Sequence, residues 1–513
     1  MATSQAHSAS DPAVDNKADL LSTTSAPESA GRSEEETLRL TKSTIRKVDL
    51  RVLPILGILS ALSLIDRSNL GLARIVGMDH DLHLSIGARY SIVSCIYFVP
   101  YILLCVLVNC YLEGGRVIFT LSADISYSCP SSQLPSNLFL RKLGVIHWLV
   151  FLVVSWGAVQ LAMGFVPSWG YLALCRVLLG VFEAGFFPAL VYIITTWYIR
   201  HEVQKRLAAF YIVGVFIGGF SAIFAYVLSL LGGRLGIAGW AWIFIIEGAI
   251  TILFGIIGWF FLPNFPDQNT FLTKEQTTLI LQRVEKDRGD SVPDLLSKEK
   301  VLLHLLDWKI WAVGVMYMCA TLPAYAISFF VTIILRGMGW SVSASLLLSA
   351  PPYIFAAISI MFFAWLSDKY HQRAAIMAIQ TVITLIGLIL TGFVPHAGWR
   401  YAGIFLSNAG SGGCIPGILA YSSNNIISHT KRAVSTAIIV SFGGIGGIFA
   451  SLVFRQVDYP TYLPGIYATI ACQFLMLGLL AITTVYYWSK NKSIKEGSAT
   501  GPLEGQIGFT YTL

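Results

Sequence analysis

Residues 60–73 read SALSLIDRSNLGLA, and residues 173–191 read ALCRVLLGVFEAGFFPALV. Both stretches have the apolar texture of membrane-crossing helices, yet the first carries Asp66 and Arg67 and the second Arg176 and Glu183. A charge at bilayer depth is costly unless it meets a polar cavity or a partner, so such residues read as functional by default. Each stretch combines an acid with a base, which points to the handling of protons and anions inside a membrane.

The rest of the chain agrees with a membrane setting. Hydrophobic residues make up 55 % of the 513 and charged residues 12 %, and the mean hydropathy is +0.68, far from the balance of a soluble domain. Apolar stretches between turn or charge clusters give twelve candidate helices. In the first half they fall at 52–74, 88–109, 145–165, 170–195, 207–231 and 240–262. In the second they fall at 310–335, 343–366, 375–395, 399–425, 433–455 and 463–488. Between the two sets lies the one long hydrophilic interior stretch, 263–308, which divides the chain into six plus six. Its LTKEQ segment predicts a short capped helix, with Thr273 before the first turn and Glu275 within it. Residues 1–45 are polar and read as a disordered tail, with no apolar core of a signal peptide; residues 489–513 read as a second tail.

Basic residues set the expected orientation. Arg39, Lys42, Arg46, Lys47 and Arg51 precede the first span, and Arg200, Lys205 and Arg206 follow the fourth. Lysines and arginines also crowd the central loop, whereas the alternate loops hold one or none. The positive-inside rule then places both termini in the cytosol. The excess of +7 is therefore a topology signal and not a nucleic-acid signature. Eight cysteines lie mostly in apolar segments without metal-ligand spacing, and the nine histidines are scattered, with no HExxH and no GxSxG. No metal site, no cofactor and no enzymatic activity are expected.

At 1.5 Å rise per residue, Asp66 lies roughly 22 Å from the cytosolic start of its helix. Arg176 lies roughly 10 Å below the opposite surface, at a similar level, and Glu183 follows two turns later on the same face. All four charges are expected to line one central cavity. Desolvation disfavours an ionised carboxylate and a neighbouring guanidinium restores it, so an anion that engages the arginine can change the protonation of the acid. The competing readings are an Asp66–Arg176 ion pair that only fixes packing, or a helix end at the interface. Glu247, in GWAWIFIIEGAI, reads as a structural partner for a helix end or as a third cavity carboxylate. Asp368 and Arg373 cap the cytosolic end of the eighth span and are candidates for a gate. Glycine clusters at 214–219, 410–413 and 443–447 predict close helix packing, and Pro351 and Pro352 predict a kink.

These residues match a known pattern. RKVDLRVLPILGILSALSLIDRSNLGLARIVGM, RVLLGVFEAGFFPALVYIITTWYIRHE, GWAWIFIIEG, FLPNFPD, SAPPYIFAAISIMFFAWLSDKYHQR and HTKRAVSTAIIVSFGGIGGI resemble the major facilitator superfamily. Within it they resemble the anion:cation symporters, especially the fungal allantoate-permease-like branch. The resemblance implies an all-α membrane protein of twelve transmembrane helices in two six-helix bundles, 46–262 and 309–488, with alternating access. It implies proton-driven uptake of a small organic anion such as a carboxylate, a vitamin or a nitrogen compound, by a monomer in the plasma membrane. Asp66 and Glu183 correspond to its protonation sites, and Arg67, Arg176 and Asn69 to its anion-binding residues. A membrane nutrient sensor on the same scaffold is the alternative. One departure stands out: residues 105–133, CVLVNCYLEGGRVIFTLSADISYSCPSSQ, interrupt a junction that is nearly continuous in the family. They read as a retained intron or misassigned exon; if present in the protein, they occupy the first-half gating loop and imply a transport-defective product.

Overall fold

The computed structural model describes residues 34–104, 145–263, 271–289, 303–370, 372–426, 429–459 and 461–496, with 266, 269, 503 and 509–512. The insertion at 105–133 lies outside the described residues. All regular structure within them is helical. In chain order the elements are α1 Glu34–Ala73, α2 Arg89–Leu104, α3 Val145–Met163, α4 Trp169–Ala184, α5 Phe186–Trp197, α6 Arg200–Ser229 and α7 Gly239–Phe261. They continue as α8 Lys274–Gly289, α9 Trp308–Gly337, α10 Val342–Tyr370, α11 Arg373–Phe393, α12 Ala397–Asn424, α13 His429–Val453 and α14 Leu463–Lys495. Among the described residues, eight helices are long and apolar enough to cross a membrane. The other expected spans fall on α2, on the broken pair α4–α5, on α6, whose apolar part is short, and on α12, which is rich in Gly, Ser and Asn.

Two differences from the sequence reading have local causes. First, α1 begins at Glu34, so residues 34–45 are helical where a disordered tail was expected. Glu35 pairs with Arg39 one turn on at 2.8 Å, and the Thr44 hydroxyl donates to Leu40 O at 2.8 Å. Ile45 and Val48 face Trp197, Tyr198, Ile280 and Val284, so the polar composition is one face of an amphipathic helix. Second, the span predicted at 170–195 divides at Gly185. Pro188 has no N–H for the Ala184 carbonyl, which loosens the helix just beyond Glu183. Helix α10 runs through Pro351 and Pro352, both of which lie inside it. The predicted helix in the central segment is present as α8, where Thr273 and Gln276 cap each other: the Gln276 N–H donates to Thr273 Oγ1 and the Thr273 N–H to Gln276 Oε1. This is a capping box, completed by Gln276 and not by Glu275.

Helices α1–α7 pack as one bundle and α9–α14 as another. The start of α1, the start of α6, α8 and the C-terminal segment share one face of the molecule, the terminal face. There Arg206 clasps Asp49 at 2.8 and 3.0 Å, Glu202 accepts from Arg283 of α8 at 2.7 Å, and Asp307 pairs with Lys431 at 2.8 Å. Asn425 and Asn491 each exchange two hydrogen bonds with the backbone of residues 511–512, and Tyr511 stacks on Tyr487. Three hydrogen bonds at the opposite, far face join the two bundles. Tyr90 donates to Phe329 O at 3.3 Å, Thr332 to Gly71 O at 3.5 Å and Arg336 to Ile75 O at 3.2 Å. Gly71 permits this seal, because a Cβ there would sit 2.5 Å from Phe329 O.

Candidate functional site

Adjacent helical residues point about 100° apart, and α1 uses that angle to sort its polar side chains. Asp66 and Asn69, three residues apart, face α3 and α7. Trp156 Nε1 donates to Asp66 Oδ2 at 3.2 Å and Thr251 Oγ1 donates to the same oxygen at 3.4 Å, while Asn69 Nδ2 donates to Glu247 Oε2. Ser63 and Arg67, four residues apart, face α4 and α2. Arg67 Nε meets Glu183 Oε2 at 2.8 Å, Tyr97 OH donates to that oxygen at 2.6 Å and Ser63 Oγ at 3.2 Å. Three donors thus converge on one carboxylate oxygen, and Glu183 Oε1 has no partner.

The Arg67–Glu183 pair sits where the bundles meet. The Arg67 guanidinium lies 5.4 Å from the Tyr97 ring and 4.9 Å from the Tyr101 ring, within cation–π range. From the other bundle, Tyr325 of α9 reaches Arg67 and stacks edge-on against Phe98. The Arg67 side chain is 14 % exposed while Glu183 is fully buried, so the guanidinium is the accessible end of the pair. Gly180 makes this assembly possible: a Cβ there would overlap the Tyr97 carbonyl. Lacking one, α4 lets α2 approach until the Tyr97 hydroxyl reaches Glu183.

Arg176 is 2 % exposed, and its Nε and Nη2 atoms have no hydrogen-bond partner. It is surrounded electrostatically by Tyr90, Glu183, Tyr97 and Asp66, but no acid lies within ion-pair distance of it among the described residues. A buried cation without an ion-paired acid is expensive, and an anion would offset that cost.

The structure therefore revises the sequence reading at several points. The Asp66–Arg176 packing pair does not form. The four charges do not share one cavity: Asp66 is sealed among α1, α3 and α7, whereas Arg67 and Glu183 occupy the interface between bundles. The cause is the 100° turn between Asp66 and Arg67. Asn69, expected to bind the anion, is 0 % exposed and committed to Glu247, and Glu247 takes a side-chain amide and not a helix-end backbone group. Asp368 and Arg373 form a 3.4 Å pair that bridges the neighbouring helices α10 and α11, with Asp368 73 % exposed. Tyr97, Tyr101 and Gly180 were overlooked, although the i, i+4 tyrosines of YFVPY and the glycine midway between Arg176 and Glu183 were signals in the sequence.

With this geometry in view, comparison with known proteins is decisive. Residues 128–451 match the profile of the Major Facilitator Superfamily. The chain belongs to that superfamily. Fungal relatives align over nearly their whole length. The MFS transporter prlL of a fungal species (strain NRRL 50135) is 28 % identical over 92 % of this chain and 91 % of its own. The major facilitator-type transporter hxnP of Emericella nidulans is 29 % identical over 91 % and 90 %. Among solved structures, an inward-facing, occupied bacterial homologue of the human lysosomal transporter Spinster superposes with a TM-score of 0.59 at 16 % identity, covering 85 % of this chain and 97 % of that one. The xylose transporter XylE of E. coli, in a partially occluded inward-open form, gives 0.56 at 12 % identity, covering 85 % and 98 %. The protein is a multi-pass membrane transporter with the major facilitator fold, and not an enzyme.

Proposed function

We propose that this transporter is a proton-coupled symporter of a small organic anion, of the anion:cation symporter kind, with its termini in the cytosol and the plasma membrane as its site. The observation that carries the reading is the Arg67–Glu183 pair, one end fully buried and the other partly exposed at the bundle interface. An ionised Glu183 occupies Arg67. A proton on Glu183 Oε1, the oxygen with no partner, weakens that attraction and frees the guanidinium for a substrate carboxylate, which Arg can bind in two-point fashion. Loading of the proton and of the anion then favour each other, which is the thermodynamic content of coupling.

Arg176, buried without a contact acid, adds the positive potential that draws the anion inward. Asp66, electrostatically linked to Glu183 and Arg176, is the second acid of the relay. Tyr97, Tyr101 and Tyr325 supply hydroxyls and ring faces that suit a small carboxylate with a polar or planar body. Release follows when the far face is sealed and Glu183 gives its proton to the cytosolic side.

A panel of radiolabelled carboxylates, each offered to cells with and without the gene at two external pH values, tests the reading. Uptake should rise with external acidity, and Glu183→Gln should abolish pH-driven accumulation. Undiminished accumulation in that variant removes Glu183 from the mechanism.

A further inference from the structure

We infer that Glu247 is held as a neutral carboxylic acid, hydrogen-bonded in a two-point pair with the Asn69 amide, which makes the α1–α7 contact a proton-holding site separate from Asp66 and Glu183. Glu247 is 3 % exposed and Asn69 0 %. Asn69 Nδ2 donates to Glu247 Oε2, which leaves Glu247 Oε1 and Asn69 Oδ1, both buried and neither with a donor. Those two leftover atoms are both acceptors if the acid is ionised. One proton on Oε1 converts it to a donor for Asn69 Oδ1 and closes a pair of parallel hydrogen bonds, with nothing else required. The conclusion does not depend on which way the amide is assigned. Turned over, Asn69 would set its oxygen against Glu247 Oε2, and that contact also needs a proton.

Among the described residues no counter-charge is paired with Glu247. From α1 the charged neighbour is Asp66, itself an acid, and Arg74, on the 74–78 segment packed against α7, is paired with Asp79. Helix α3 meets α7 through backbone, Gly157 and Leu161 packing against Gly248. No basic side chain of α3, α6 or α7 forms an ion pair with Glu247 among the described residues. An ionised Glu247 would be a buried anion beside a second carboxyl group, the arrangement that burial penalises most, whereas the acid–amide pair leaves no polar atom unsatisfied. Under the coupling reading above, Asp66 and Glu183 are then the acids that exchange protons, balanced two against two by Arg67 and Arg176.

Infrared spectroscopy tests this without any transport substrate, so its outcome is separate from that of the uptake assay. The full-length protein in an ester-free maltoside detergent is titrated from about pH 5 to about pH 7, a range that ends where ordinary carboxyl groups are ionised. Wild type should keep a protonated-carboxyl carbonyl band at the upper end, and Glu247→Gln should lose that band while Asp66→Asn keeps it. Labelling wild type with isotope-substituted glutamate should shift the band, a measurement that needs no variant. Absence of the band in wild type, its survival in Glu247→Gln, or failure of the glutamate label to shift it overturns the proposal.

Discussion

Gly71→Ala should hold the far face open. The added Cβ would lie 2.5 Å from Phe329 O and 3.2 Å from its carbonyl carbon, against ordinary contacts of about 3.5 Å or more. The obstacle is backbone on α9, so no rotamer change relieves it, and α1 and α9 must part by roughly 1 Å. Overpacking of this kind costs about 1–3 kcal/mol. Gly71 and Phe329 belong to different bundles, so the cost falls on the conformation in which the far face is closed. At about 2 kcal/mol the balance between closed and open moves by roughly 30-fold. A cysteine at Thr332, which is 2 % exposed and hydrogen-bonded to Gly71 O, reports on the seal. Its modification by a membrane-impermeant maleimide, in a background freed of other reactive cysteines, should accelerate by about tenfold or more when Gly71→Ala is added. An unchanged rate in a folded double variant would refute the claim that this contact closes the far face.

Two further outcomes follow from the same geometry. Tyr97→Phe removes the 2.6 Å hydrogen bond to Glu183; a bond to a charged group contributes about 1.5–3 kcal/mol, so uptake of whichever carboxylate the panel identifies should fall about tenfold or more, measured as initial rate at fixed protein level. At Asp307, burial pushes the carboxyl up, but the hydrogen bond from Lys431 and the charges of Lys309 and Lys431 outweigh it and hold the group below its ordinary value. A depressed carboxylate stabilises the fold above its unfolded value of about 4 and ceases to do so as the pH falls through the folded one. Asp307→Asn should therefore lower the melting temperature at neutral pH, and the gap to wild type should narrow as the pH drops below about 4.

Much of the architecture was legible because the membrane makes composition informative: long apolar stretches can only be helices there, and charges inside them are exceptions that announce themselves. Asp66, Arg67, Arg176 and Glu183 were found that way, and helical rise alone set them at matching depth. What rise does not provide is azimuth relative to neighbours. Asp66 and Arg67 are consecutive, yet they serve different interfaces, and only the positions of α3, α4 and α7 decide which. The partner of Asn69 was hidden for the same reason, since Glu247 lies 178 positions away. The helical start of α1 was missed because a hydrophilic run was judged by content, although Ile45 and Val48 three residues apart already marked a buried stripe. The break at Gly185 was written in GFFP.

The small knot of amides at the terminal face has a mechanical meaning. Asn425 at the end of α12 and Asn491 near the end of α14 both grip the same few residues of tail, and Lys309 at the start of α9 touches Tyr511. Three helix ends that could otherwise splay are lashed together, so that portion of the second bundle swings as one stiff lever. Whatever flexing the carrier cycle demands is thereby steered to the seam between the halves, and a bulky fusion placed directly behind the tail would tug on the lashing itself.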